Sequence, residues 1–170
     1  MREVTVDSGC SAAMGMVMRS ATVRDIPGMR ALEGHAATAA RWTKQAYEQL
    51  FCQGGLPRLI LVLEQGSNLV GFIVALCVGS EWEVENIAVA GNLQRRGLGS
   101  WLLRELKERA WQSGAEGLFL EARESNRAAR ALYEKCGFVQ TGKRTAYYSE
   151  PAEDAILYQY SSTAGKTLGK

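Results

Sequence analysis

The chain has 170 residues, 46% of them hydrophobic, with a formal net charge of +2, four cysteines and one histidine. That length suits one domain with a full core, and so small a net charge gives no ground for a direct nucleic-acid binder, although a local basic patch remains compatible with it. Cys10, Cys52, Cys77 and Cys136 lack C-x-x-C spacing and His35 stands alone, which excludes a metal site and, with no secretory signal in Met1–Val17, points to a reducing cytoplasm. The longest apolar stretch, Leu69–Val78, is too short for a membrane span, so no membrane partner is expected.

In chain order, Met1–Val17 reads as a flexible extension, and the domain is expected over residues 18–160, with a polar tail over 161–170. Ser20–Arg24 reads as a first strand. Asp25 is expected to cap a helix with Pro27 in its first turn, running to about His35. Thr43 caps a second helix, with Ala46, Tyr47 and Leu50 on one face, which Gly54-Gly55 and Pro57 end. Three strand-like runs follow, Arg58–Glu64, Leu69–Val78 and Glu81–Val89, joined by turns short enough for an antiparallel meander.

The hydrophobic period then changes. Leu98, Leu102, Leu106 and Ala110 recur every four residues, the apolar face of a helix lying on a sheet, and Gly114 ends it. Gly117–Ala122 reads as a strand. Asn126 caps a short helix through Cys136, stopped by Gly137, and Phe138–Tyr148 and Asp154–Tyr160 read as two closing strands. A meander followed by β-α-β describes an α/β (α+β) domain: a mixed sheet of about seven strands with helices on both faces.

The segment Gln94-Arg95-Arg96-Gly97-Leu98-Gly99-Ser100 joins a strand to the amphipathic helix. A helix start offers unpaired N–H groups and partial positive charge, two arginines add to it, and Gly97 and Gly99 let a ligand approach the backbone. This is a coherent diphosphate site. It matches neither a Walker loop nor a complete dinucleotide fingerprint. By itself it is equally readable as a glycine turn with two solvated arginines.

Gln94–Gly99 matches the Q/R-x-x-G-x-G/A signature of the GNAT superfamily of acyl-CoA N-acyltransferases, and Asn86-Ile87-Ala88-Val89 resembles that superfamily's fourth strand. Within it, Leu120–Asn126, Ala131–Phe138, Tyr147-Tyr148 and Glu153–Ile156 resemble the bacterial ribosomal-protein alanine N-acetyltransferase group, over about Met18–Tyr160. Ala146 stands where the group often has Asn, and Ser149 where it usually has Pro.

The resemblance implies the GNAT fold and acetyl-CoA as donor, with no metal. It implies that Ile87, Ala88, Val89, Gln94, Arg95, Arg96, Gly97, Leu98, Gly99, Ser100, Asn126 and Tyr133 contact the donor. It makes Glu121 the base, with Glu83 the alternative, and Tyr133 the acid at the leaving thiolate. N–H groups at Ala88–Val89 would hold the thioester oxygen where strand pairing breaks. Trp42, Glu85, Tyr147 and Tyr148 would border the acceptor. Cys136, with no histidine near it in sequence, reads as a core cysteine rather than a nucleophile.

The expected acceptor is a protein N-terminal α-amine, attacking the thioester directly in a monomer or homodimer. A small amine or a lysine side chain is the alternative acceptor. A non-catalytic acyl-CoA-binding module is the alternative of another class, disfavoured by the presence of both Glu121 and Tyr133.

Overall fold

The computed structural model describes residues 15–34 and 42–161; Cys10, His35 and the segments 1–14 and 162–170 lie outside the described residues. Seven strands, β1 (Met16–Ser20), β2 (Arg58–Gln65), β3 (Asn68–Val78), β4 (Glu81–Val89), β5 (Gly117–Arg123), β6 (Val139–Ser149) and β7 (Ala152–Ser161), form one sheet in the order β1-β2-β3-β4-β5-β7-β6. Among the described residues the four α-helices are α1 (Ile26–Gly34), α2 (Lys44–Gln49), α3 (Leu98–Gln112) and α4 (Arg127–Lys135). No helix among the described residues is long and apolar enough to cross a membrane.

Alternation along the strands divides the core between the two faces of the sheet. On one face Leu61, Leu63, Ile73, Leu118 and Leu120 pack with Leu102, Leu103 and Leu106 of α3 and Tyr133 of α4. On the other, Ile60, Val62, Phe72 and Val74 pack with Met29 of α1 and Tyr47 of α2. The four-residue spacing in α3 is thus the imprint of one buried helix face, with Leu102, Leu106 and Ala110 wholly inaccessible to solvent.

Every pair of neighbouring strands is antiparallel except β4 and β5, which run parallel and meet over just four registered pairs, Glu81↔Gly117 to Val84↔Leu120. Beyond them β4 pairs with β3 alone. The β3–β4 ladder also slips at this point: Ala75 faces Val84 and Val74 faces Asn86, so Glu85 is an extra, bulged residue. Trp82 and Val84 join the α3 face, and past the bulge Ile87 and Val89 do so instead.

Two local expectations are corrected. The first strand lies at Met16–Ser20, not Ser20–Arg24, and so includes Met16 and Val17. Thr22, not Asp25, is the capping residue, opening a short 3₁₀ turn that leads into α1. The reason is the Asp25 carboxylate. It accepts the Thr22 N–H at 2.7 Å, curling the chain where a strand was expected, and takes two Arg19 hydrogen bonds at 2.8 and 2.7 Å. Thr43 does cap α2, its hydroxyl accepting from Ala46 N–H at 3.1 Å.

Arg19, foremost, pulls the Asp25 carboxyl down to about 2. A depressed carboxylate stabilises the fold above its unfolded value of about 4, and that stabilisation disappears as pH falls toward the folded value. Asp25→Asn, which keeps an acceptor for Thr22, is expected to cost about 1–2 kcal/mol near pH 7, after allowing for the solvent around Arg19. Urea unfolding of both proteins should show the difference shrinking as pH is lowered from about 5 toward 2.5.

Candidate active site

The parting of β4 and β5 opens a cavity of about 1670 Å³. It runs from the start of α3, between the two strands, to Trp42, Tyr147 and Tyr148. Its volume exceeds the usual range for small metabolites and suits a long ligand such as a nucleotide with an extended arm.

At one end lies the loop before α3. Gly97 has φ +85°, a left-handed conformation that a side chain disfavours, and Arg95 adopts φ +61° despite its Cβ. The first helical hydrogen bond runs from Trp101 N–H to the Gly97 carbonyl at 2.9 Å. The N–H groups of Leu98, Gly99 and Ser100 therefore point out of the helix end, toward any anion in the cavity. Gly99 has a further reason to be glycine: a Cβ there would stand 2.8 Å from Leu132 Cδ2, so its small size seats α4 against α3. Gln94 turns its amide to the Val89 carbonyl at 3.2 Å, tying the loop to a strand group that β5 leaves unpaired.

In the middle, β4 presents its unpaired edge. Ala90 N–H donates to the Val70 carbonyl at 2.9 Å. By antiparallel alternation Ala88 and Asn86 also spend their N–H groups on β3, while Ile87 and Val89 direct theirs across the gap. Of the expected pair, Ala88–Val89, the Ala88 N–H is thus spent on β3, and Val89 and Ile87 are the ones that face the gap.

Glu121 and Tyr133 reach this gap from opposite faces of the sheet. Tyr133 lies on the α3 face, 5% exposed, its ring against Phe138 and Tyr158. Burial, followed by the neighbouring tyrosines 148 and 158, pushes its phenol up, so it stays protonated across the working range. Glu121 alternates with the buried Leu120 and Ala122 and so faces the other way, where Arg144 Nη1 meets its carboxylate at 2.8 Å.

On that same face stand Glu83 and Glu85. Glu85 is held by Arg58 at 2.6 and 3.0 Å. No ion pair engages Glu83 among the described residues. Loss of surrounding water, then the charges of Glu121 and Glu85, raise its carboxyl above the ordinary carboxylate value.

The far end is shaped by β6. Its register with β7 jumps from Arg144↔Ala155 to Tyr148↔Glu153, and Ala146 takes φ +52° with its N–H on Asp154 Oδ1 at 2.7 Å. In a regular strand Tyr147 and Tyr148 would face opposite ways. The bulge lets both line the cavity, their rings edge to face at 5.1 Å. Arg123 lies over the Tyr148 ring at 4.1 Å and holds Glu153 at 3.3 Å, fixing this hairpin to β5.

Of the residues expected to contact donor or acceptor or to act as base or acid, Arg96 is the one off the cavity wall; Trp42, Glu83, Glu85, Ile87, Ala88, Val89, Gln94, Arg95, Gly97, Leu98, Gly99, Ser100, Glu121, Asn126, Tyr133, Tyr147 and Tyr148 all line it. Asn126 is also a cap, its Oδ1 accepting from Ala129 N–H at 3.1 Å. Cys136, half-buried at the end of α4, gives its carbonyl to Lys107 at 2.7 Å, away from the cavity.

Sequence reading missed Arg144, Arg123 and Glu33. Buried Glu33 accepts from Asn86 Nδ2 at 2.8 Å and from Trp42 N–H at 3.2 Å, bracing two walls at this end of the cavity. The available signal was spacing: Glu33 falls on the stripe of Ile26 and Met29 along α1. No group of residues fit to hold a metal ion occurs among the described residues.

The model of the Acetyltransferase (GNAT) family matches residues 28–138. The [ribosomal protein bS18]-alanine N-acetyltransferase of Salmonella typhimurium is 36% identical over 135 residues, spanning 78% of this chain and 88% of the relative. A putative enzyme of the same name from Bacillus subtilis is 29% identical over 82% of this chain and 91% of its own length. The crystal structure of the Escherichia coli ribosomal-protein-S18-alanine N-acetyltransferase superposes with a TM-score of 0.78 at 32% identity, covering 91% of this chain and 99% of that one. The chain belongs to the acetyltransferase (GNAT) family.

Proposed function

We propose that this N-acetyltransferase carries acetyl from acetyl-CoA to the α-amine of a protein N-terminus, of the kind its ribosomal-protein-modifying relatives are named for. The observation that carries this reading is the cavity itself: one continuous channel joins an anion-binding helix start to an aromatic, carboxylate-lined mouth through a gap in the sheet.

The loop's N–H groups and Arg95 suit the donor's diphosphate. The pantetheine arm carries amides and suits the unpaired edge of β4, as an added strand would. An acetyl oxygen held by the Val89 N–H would find a donor already oriented as negative charge develops on it.

The acceptor arrives at pH 7 mainly as an ammonium, since a free α-amine titrates at about 8. Glu121, on the acceptor side of the gap, suits both its attraction and its deprotonation. Tyr133, on the other side and still protonated, suits the departing thiolate. Trp42, Tyr147 and Tyr148 would flank the first residues of an extended peptide. An N-terminal amine fits this mouth because it is an easier base to unmask than lysine, at about 10.

A library of peptides with varied first residues, incubated with enzyme and acetyl-CoA and read by mass spectrometry, should show modification at the α-amine. Acetylation confined to internal lysines, or absent from every peptide, would overturn the acceptor. Arg95→Ala should weaken coenzyme A binding in calorimetry by about 1 kcal/mol, with acceptor preference unchanged. Tyr133→Phe should reduce kcat by about tenfold to a hundredfold while leaving coenzyme A affinity near that of the parent; an unaltered kcat would reject its acid role.

A further inference from the structure

The carboxylate assigned as base does not stand free. Arg144 comes from β6, two strands from β5, and crosses β7 to reach it. That crossing spans roughly 9–10 Å of sheet, within the reach of an arginine. β7 permits it by carrying a small residue there: Ala155 is in register with both Arg123 on β5 and Arg144 on β6. The Arg144 side chain is 53% exposed, and the Tyr147 ring lies 5.3 Å from its guanidinium carbon. Arg144 thus sits between the carboxylate and an aromatic wall of the acceptor mouth, with room to move.

The surroundings explain why Glu121 needs it. From β4, Glu83 and Glu85 face the same side; Glu85 is neutralised by Arg58 of β2, Glu83 by no ion pair among the described residues. On β5 itself, Arg123 is committed to Glu153 and the turn carbonyls of Glu150 and Pro151. From β6 comes the Tyr148 phenol, pushed up by burial and then by Glu121 itself. The β7 residue in register with Glu121 is the apolar Leu157. Without Arg144, Glu121 would face the Glu83 carboxylate, the Tyr148 phenol and the Leu157 hydrocarbon.

We propose that Arg144 is a positioning residue for acetyl transfer: its guanidinium holds the Glu121 carboxylate oriented at the gap until the acceptor's ammonium takes its place. This rests on Glu121 being the base. Binding of the acceptor is then an exchange of one cation for another on a single carboxylate, with the Tyr147 face available to the displaced guanidinium.

The test is the acid limb of kcat/KM for an alanine-initiated peptide in the parent enzyme, Arg144→Ala, Arg144→Lys and Glu121→Gln, each checked for folding by circular dichroism and thermal melting. Removing the cation leaves Glu121 beside Glu83, so Arg144→Ala should move the limb up by about half a unit to one unit. Arg144→Lys should return it to the parental position. Glu121→Gln should lose most of the rate and this limb with it. If Arg144→Ala lowers kcat/KM equally at every pH with the limb unmoved, or if lysine fails to restore a shifted limb, Arg144 is a structural residue and the inference falls while the base stands. If Glu121→Gln retains the parental rate and limb, the base assignment itself falls, and this inference with it.

Discussion

Everything at this site depends on where β4 stops pairing with β5. Four residue pairs join the two strands; beyond them β5 continues on β7 alone and β4 on β3 alone. A strand edge inside a protein is expensive, because its N–H and C=O groups must find partners. Here the protein meets only part of that demand, with Gln94 on the Val89 carbonyl. The Ile87 and Val89 N–H groups are left for a ligand. The sheet is left unfinished along this edge, and under the proposed function an amide-bearing arm and a carbonyl oxygen would complete it.

The same gap solves a problem of geometry. Consecutive layers of an α/β domain are separated by the sheet, so a residue on one face cannot ordinarily cooperate with one on the other. Tyr133 is fixed in the α3-side core, and Glu121 projects to the α1 side. An intact β4–β5 ladder would wall them apart. Where it opens, both groups line one cavity from opposite faces of the sheet, as the proposed base and acid would need to. Their environments differ to match: an apolar, ring-lined setting keeps the phenol protonated, and an ion pair keeps company with the carboxylate.

Much of this is legible in the sequence, because much of it is local. The period change at Leu98 announces α3, Asn126 and Thr43 announce their caps, and the Gln94–Gly99 glycines announce the loop that lines one end of the cavity. What stays hidden arises from register. The bulge at Glu85 decides which β4 residues aim their N–H groups into the gap, yet Glu-Val-Glu-Asn reads as ordinary alternation. Tyr147 and Tyr148 share a wall only because β6 is bulged around Ala146. Gly99 reads as room for a ligand, and the contact with Leu132 that it also serves lies far along the chain, on another helix. The first strand is misplaced in the sequence for a related reason: Asp25 is held by Arg19, and a capping aspartate cannot be told from an ion-paired one without its partner.

Arg144 shows the same limit most sharply. In the sequence it is one cation in a polar, exposed run, Lys143-Arg144-Thr145, with nothing to separate it from a solubilising residue. Its meaning comes from the strand order β5-β7-β6, which brings a late strand within one strand of β5, and from Ala155, whose methyl leaves the passage open. A larger residue at position 155 would close that passage without touching either partner of the ion pair. The ion pair at the gap is thus built by three strands together: β5 supplies the acid group, β6 the cation, and β7 the small residue that lets them meet.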